Sequence, residues 1–366
     1  MAMSPLVPGS TIGILGSGQL GRMLAQAAAR LGLKCHIYAD VSGPAFDVAA
    51  QRTIGSYDDL DRIRAFAKNV DAVTYEFENV PLLAAAAVEP YAPVRPGPKA
   101  LEVAQDRLTE KCFISELGIA VAPFAPVDDL ADLGKAMERL GTPSILKTRR
   151  LGYDGKGQVR LNDRAAAPGA FAAISGAPAV LEGFVPFKYE VSVLVVRSID
   201  GANRFYDIPL NTHRNGILDT STVPSPLPAA NAEKARLIAA RVADALGYVG
   251  VLGVEMFYLG DDAPEPFVVN EIAPRVHNSG HWTMDACAIS QFENHIRAVA
   301  GWPLGPTDRH SDVVMTNLIG QEVERWPSLA AEPHTCLHIY GKNQARPGRK
   351  MGHFNTLRPL SGKSAR

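Results

Sequence analysis

Cysteine is scarce and scattered: Cys35, Cys112, Cys287 and Cys336 are the four in 366 residues, and no two form a CxxC pair. That pattern argues against a disulfide framework or a zinc site, so a reducing cytoplasm is the simplest expectation. Charge of one sign is lacking too. A net charge of −1 creates no global field toward nucleic acid or acidic lipid, so any anion binding has to be local. No apolar run approaches the roughly 20 residues that span a bilayer, and Met1 to Ser10 carry no basic n-region. Internal repeats and a Walker A ending GK[ST] are also missing. What is present is a hydrophobic content of 46% with 20% charged residues, an ordinary globular composition. At roughly 150 residues per domain, the length predicts two or three packed units, as in a multi-domain enzyme.

The chain opens in a βαβ pattern. The apolar run Thr11 to Leu15 leads into glycines, then Leu20, Met23, Leu24, Ala27, Ala28 and Leu31 recur at helical spacing before the strand-like run Lys34 to Tyr38. Leu60 to Val70 and Ala72 to Tyr75 continue the alternation, which predicts a small parallel-sheet domain ending near Pro98. The proline-rich segment Tyr91 to Pro98 reads as a linker. From Ser144 onward, strands with hairpin turns predict antiparallel sheet: Ile145 to Thr148, Val180 to Phe184, Glu190 to Ser198, Arg204 to Ile208, Gly253 to Leu259 and Phe267 to Ile272. Helices are expected over Asn231 to Leu246 and Ser290 to Ala300. The basic, turn-rich stretch His338 to Leu360 is expected to pack back on the rest.

Two glycine clusters stand out. Gly16-Ser17-Gly18-Gln19-Leu20-Gly21 lies between a strand and a helix, with Asp40 about 20 residues on, the spacing of a dinucleotide fingerprint. Its physics is less specific, since glycines let the backbone approach any anion at a helix N-terminus. The second cluster follows Lys147: three glycines (Gly152, Gly155, Gly157) and three cations (Arg149, Arg150, Lys156) can close over a polyphosphate with N–H groups and ammonium charge together.

Two late strands carry the sharpest clue. If Leu259 pairs with Phe267, the antiparallel register sets Glu255 opposite Glu271, with Cβ atoms about 5 Å apart. Opposed carboxylates repel, so a cation is expected between them. Hard oxygen ligands beside a phosphate-closing loop point to Mg²⁺, with Asn270 as a further ligand or phosphate contact. Arg275, His277, Asn278 and His281 follow at once and can hold a small planar anion such as bicarbonate. Arg346-Pro347-Gly348-Arg349-Lys350 forms a cationic turn suited to a substrate phosphate.

With these residues assembled, the chain resembles the N5-carboxyaminoimidazole ribonucleotide synthetases, a family of ATP-grasp enzymes, along nearly its whole length. The resemblance rests on Gly13 to Met23, Tyr75 to Val80, Asp106 to Leu108, Gly152 to Gln158, Gly247 to Val251, Asn270 to Trp282 and Arg346 to His353, the Asn270 to Trp282 stretch being the most specific. It implies a mixed α/β and α+β fold: a Rossmann-like parallel-sheet domain over 1–98 that does not bind NAD, a small lid domain over 99–186, and an antiparallel grasp domain over 187–310. A C-terminal region, 311–366, would pack back on the core.

By position, the resemblance implies that Arg107 and Lys147 meet ATP phosphates and that Gly152, Tyr153, Asp154, Gly155, Lys156, Gly157 and Gln158 form the closing loop. Glu182, Gly183, Phe184 and Val185 would line adenine, Glu190 would hold ribose hydroxyls, and His213 would sit near the nucleotide. Glu255, Asn270 and Glu271 would serve Mg²⁺ and phosphate. Arg275, His277 and Asn278, with Lys147, would act at the bicarbonate end. Gln19, Glu76, Tyr153, Asp154, Arg275, Arg346 and Lys350 would receive aminoimidazole ribonucleotide.

The implied chemistry is phosphorylation of bicarbonate by ATP to carboxyphosphate, then capture of its carboxyl by the exocyclic amine, in purine biosynthesis. A homodimer is implied, with no nucleic-acid or membrane partner. Relatives are expected to continue well past the basic turn, where this chain ends at Arg366. Three other readings compete: another ATP-grasp carboxylate-amine ligase, for example one using formate; a nicotinamide oxidoreductase resting on Gly16 to Gly21 and Asp40; and a non-catalytic nucleotide-binding regulator, which would bind ATP without turnover.

Overall fold

The computed structural model describes residues 4–152 and 155–361. The βαβ opening forms as its apolar spacing requires. Thr11–Leu15 buries Ile12, Ile14 and Leu15 completely, and the helix Gln19–Arg30 turns Leu20, Met23, Leu24, Ala27 and Ala28 onto the sheet. Four parallel strands result, in the order Gln51–Ile54, Lys34–Ala39, Thr11–Leu15, Ala72–Tyr75. The proline-rich stretch after them is not a free linker. Arg95 donates its backbone N–H to Val73 O, Val94 bridges Val73, and both Val94 and Arg95 are buried.

A second, antiparallel sheet runs Phe124–Val127, Ala179–Gly183, Ser144–Thr148, Gln158–Leu161. The helices Leu130–Leu140 and Ala167–Ala173 cover it, packing Leu133, Ala136, Met137 and Ala170 around Leu146, Leu161 and Leu181.

The third sheet has nine strands and organises the site. Its order is Phe267–Ala273, Gly250–Tyr258, Tyr189–Arg197, Leu210–Arg214, Ile217–Val223, Asp312–Ile319, Lys350–Arg358, Thr335–Ile339, with Asn203–Phe205 beside Tyr189–Arg197. The helix Ala229–Ala245 seals one face through Ala235, Ala239, Val242 and Ala243, within two residues of expectation at its start.

Packing and strand pairing cross two of the expected domain boundaries. Helices Pro98–Ala104 and Arg107–Glu116, assigned above to the lid, bury Ala100, Val103 and Ile114 in the core of the large sheet with Val193, Val254 and Ile272. The segment after residue 311 supplies strands to that same sheet, Asp312–Ile319 pairing with both Ile217–Val223 and Lys350–Arg358. Lys350–Arg358 escapes a hydrophobic pattern search because two of its buried positions are polar, His353 and Asn355.

Candidate active site

A cleft of about 910 Å³ opens where the three sheets meet. Of the residues singled out in the sequence, Gln19, Glu76, Arg107, Lys147, Gly152, Gly155, Lys156, Gln158, Glu190, His213, Glu255, Asn270, Glu271, Arg275, His277, Asn278, Arg346 and Lys350 line it. Tyr153 and Asp154 lie outside the described residues.

Glu255 and Glu271 do face each other, by a different route from the one expected. The hairpin runs Tyr258↔Phe267, Phe257↔Val268 and Met256↔Val269, one residue off the assumed pairing, and a bulge then restores Glu255↔Glu271. Asn270 is the residue passed over, which frees it from the ladder beside both carboxylates. Arg107 Nη1 stands 3.0 Å from Glu271 Oε2, and His277 Nε2 stands 3.1 Å from Glu255 Oε1. Burial pushes the Glu255 carboxyl up, and the hydrogen bond from His277, helped by nearby positive charge such as that of Lys350, more than reverses this, to about 2. Glu110 goes the other way. Burial and the charge of Glu271 raise it to about 8, while its Oε1 accepts the Ile272 N–H at 2.6 Å.

Lys147 approaches the same corner from the second sheet. Its Nζ lies 3.0 Å from Glu182 Oε2 and 3.5 Å from Asn270 Oδ1. Lys111 Nζ lies 3.2 Å from the other oxygen of Glu182. Burial raises the Glu182 carboxyl, but the two lysines hold it below the usual range. Glu182 is enclosed between the two lysines, and Gly183 and Phe184 give their N–H groups to Pro123 O and Pro143 O. Neither these nor Val185 line the cleft. Gly157 also stays outside it. Its φ of +70° and a Cβ position 2.5 Å from Thr148 Oγ1 make it the residue that lets the loop return to the strand. Glu190 Oε2 and His213 Nδ1 are 3.0 Å apart across adjacent strands. Burial lowers His213, and Glu190 overcomes this and raises it.

At the far end, the first glycine turn does bind an anion, and the anion belongs to the chain. Glu76 Oε2 accepts the Gly21 N–H at 2.7 Å, and Glu76 Oε1 accepts that of Gly18. A Cβ at Gly16 or Gly18 would sit 2.3 or 2.6 Å from Glu76, so the glycines make room for this carboxylate. Asp40 is exposed and does not line the cleft. The dinucleotide reading fails on both counts.

The segment from Arg275 to Asn278 is more committed than its sequence implied. Arg275 grips Glu78 through Nε at 2.6 Å and Nη2 at 3.4 Å. Burial raises Glu78, and Arg275 pulls it down to about 2. Asn278 exchanges two amide hydrogen bonds with Asn317, at 3.1 and 2.8 Å, which orient its side chain in the cleft wall with one N–H and one lone pair to spare. The basic turn is richer than expected, since Lys342 and Arg349 line the cleft with Arg346 and Lys350.

Sequence reasoning missed Glu110, Lys111, Asn317 and Lys342, and gave Glu78 no role of its own. One signal was available: Arg107, Glu110, Lys111 and Ile114 fall at i, i+3, i+4 and i+7, so charges occupy the inward stripe of the helix Arg107–Glu116.

A cation-lined loop, opposed carboxylates and an antiparallel grasping sheet define an ATP-grasp ligase. Residues 112–292 match the ATP-grasp domain, 9–105 the ribonucleotide synthetase preATP-grasp domain, and 313–363 the phosphoribosylaminoimidazole carboxylase C-terminal domain.

Among curated relatives, the N5-carboxyaminoimidazole ribonucleotide synthase of Brucella melitensis is 54% identical over 98% of this chain and 99% of its own. That relative therefore has no long extension past the basic turn, contrary to expectation. The synthase of Pseudomonas aeruginosa is 45% identical over 95% and 94%. The Thermus thermophilus synthetase structure superposes with a TM-score of 0.87 at 45% identity, covering 95% and 93%. The Aspergillus clavatus synthase, in complex with ADP and 5-aminoimidazole ribonucleotide, gives 0.88 at 32%, covering 96% and 94%. The chain belongs to the N5-carboxyaminoimidazole ribonucleotide synthase family.

Proposed function

We propose that the protein carboxylates the exocyclic amine of 5-aminoimidazole ribonucleotide with bicarbonate, using Mg²⁺ and ATP, in purine biosynthesis. The observation that carries this is the continuity of one cleft from the Glu255/Glu271 corner to Glu76 and the basic turn. A phosphorylated acid made at one end can reach an amine held at the other without leaving the protein. The Aspergillus relative, with ADP and the aminoimidazole nucleotide bound together, supports the same two-ended reading.

The donor set fits Mg²⁺. No group of three or more His, Cys, Asp or Glu able to hold a metal occurs among the described residues. Mg²⁺ is usually held by one or two carboxylates with substrate phosphates and water, which Glu255, Glu271 and Asn270 can supply. When bound, it neutralises charge on the transferred phosphoryl group. Arg107 and Lys147 would add fixed positive charge, with Glu182 and Lys111 holding Lys147 in place.

In the chemistry, a bicarbonate oxygen bonds to the γ-phosphorus as the bond to ADP breaks, giving carboxyphosphate. The amine nitrogen then takes the carboxyl carbon, phosphate departs, and the amine loses a proton. Gly152 to Gln158 would close over the nucleotide, with Glu190 and His213 at its ribose side. Arg275 and His277 would flank bicarbonate. Gln19, Glu76, Lys350 and Arg346 would receive the ribonucleotide, the last two at its phosphate. A closed cleft keeps water from the short-lived acyl phosphate.

A homodimer is part of this reading, carried by family resemblance and checked by light scattering. Four unpaired cysteines support a reducing compartment, and no described helix is long and apolar enough to cross a membrane. The test is ADP release with Mg²⁺-ATP. It should depend on both bicarbonate and the aminoimidazole nucleotide, and labelled bicarbonate should enter the product. Turnover with formate instead would move the protein to another carboxylate-amine ligase.

A further inference from the structure

Behind His277 a row of polar side chains crosses the large sheet inside its core. Ser279, Ser192 and Ser221 have no solvent exposure, and Asn211 has 6%. Val191 and Val193 flank Ser192 in its strand. Buried hydroxyls and amides in such surroundings cost stability unless every one is paired.

Here each is paired. Asn211 Oδ1 accepts from Ser221 Oγ at 2.8 Å, and Asn211 Nδ2 donates to Ser192 Oγ at 2.9 Å. Ser192 Oγ lies 2.6 Å from Ser279 Oγ, which lies 2.8 Å from His277 Nδ1. His277 Nε2 faces Glu255 Oε1 at 3.1 Å, a carboxylate oxygen that can only accept, so a neutral ring carries its proton on Nε2 and Nδ1 accepts from Ser279. The ring is also fixed in place. A Cβ at Gly253 would lie 3.0 Å from His277 Cβ, so the strand offers a bare backbone for the imidazole to rest against.

We infer that Asn211, Ser192 and Ser279 are positioning residues that hold His277 as its Nε2–H tautomer, aimed at the Glu255 carboxylate. The Glu255 carboxylate, which can only accept, selects the protonated face of the ring, and the row behind it holds the other face in place. A tautomer held in advance keeps Glu255 hydrogen-bonded on one side and leaves its remaining lone pairs for the cleft. The tautomer claim stands on geometry alone; its effect on turnover rests on the carboxylase reading above.

The experiment uses the whole protein labelled with ¹⁵N in its imidazole rings, the His277 signals being identified by their loss in His277→Gln. Two-bond ¹H–¹⁵N spectra of the unsubstituted protein should show Nε2 protonated and Nδ1 bare. Protonation at Nδ1 overturns the proposal, and this reading needs no variant to fold. In Ser279→Ala and Asn211→Leu the signals should shift toward a mixture of tautomers. Turnover in both should fall roughly 10- to 100-fold in kcat, with KM for ATP within about twofold, and Ser279→Thr should restore both readouts. An unchanged tautomer in both variants overturns the relay, and a disturbed tautomer with normal kcat overturns its role in turnover. Full activity in His277→Gln would strike the carboxylase assignment of His277 and leave the tautomer result standing.

Discussion

Gly16 to Gly21 and Gly152 to Gln158 each set glycines just after a strand, yet the first turn closes on Glu76 of the same chain, whereas the second carries Lys156 and Gln158 to the rim of the cleft. The first has the stronger motif by sequence and the weaker claim on a nucleotide. Backbone N–H groups at a helix start attract whatever negative charge comes within reach, and a carboxylate about 55 residues away in sequence reached it first. The second turn lines the cleft with Lys156 and Gln158, beside Arg107 and Lys147. What a glycine turn binds is therefore decided by the charges the fold brings to it.

The largest effect should come from removing the metal corner served by the second loop. Glu271→Gln should lower kcat about 100-fold or more while ATP binding survives in part, since several kcal/mol of charge stabilisation disappear. Steady-state kinetics with a nucleotide titration will show it, and unchanged turnover removes the metal assignment.

Next comes Glu110, in the same corner. Its folded carboxyl keeps its proton to about pH 8, while the unfolded one releases it near 4.5. The folded state thus carries the extra proton between those values, and stability falls as pH rises through them, by on the order of a few kcal/mol. Glu110→Gln should flatten that fall in denaturant melts from pH 5 to 8. An identical slope in the variant contradicts the assignment.

The first turn should answer differently. Glu76→Gln puts an amide where two N–H donors expect an acceptor, which should lower unfolding stability by about 1–3 kcal/mol. NADH should still fail to bind the vacated turn. Tight NADH binding in a fluorescence titration would reopen the dinucleotide reading.

The smallest effect belongs to the cationic turn at the same end. Lys350→Ala should raise KM for the ribonucleotide about tenfold, an interaction worth about 1.4 kcal/mol, and leave KM for ATP nearly unchanged. Equal changes in both move Lys350 away from the substrate.

The elements legible in the sequence were those whose apolar spacing matches their burial: Gln19–Arg30, Ala229–Ala245 and the strands from Gly250 to Ala273. The cleft was legible where charged residues interrupt apolar strands, as with Lys147, Glu255 and Glu271, which the fold brings together along it. Illegible parts share a cause. In Arg107–Glu116 and Lys350–Arg358 polar residues fill inward positions, so hydrophobic periodicity sees neither the burial of Lys111 and His353 nor their partners. The Glu255/Glu271 pairing was reached from a register wrong by one residue, because a bulge at Asn270 has no signature in composition. The pairing of Asn278 with Asn317 was illegible because Asn317 lies 39 residues away on a strand that the pattern did not reveal.

The measurement closest to the central claim follows oxygen. With ¹⁸O-bicarbonate, Mg²⁺-ATP and aminoimidazole ribonucleotide, the phosphate released should carry one ¹⁸O per turnover, since a bicarbonate oxygen bridges carbon and phosphorus before the carboxyl leaves for the amine. Phosphate without ¹⁸O, released while product still forms, would contradict phosphorylation of bicarbonate in this cleft.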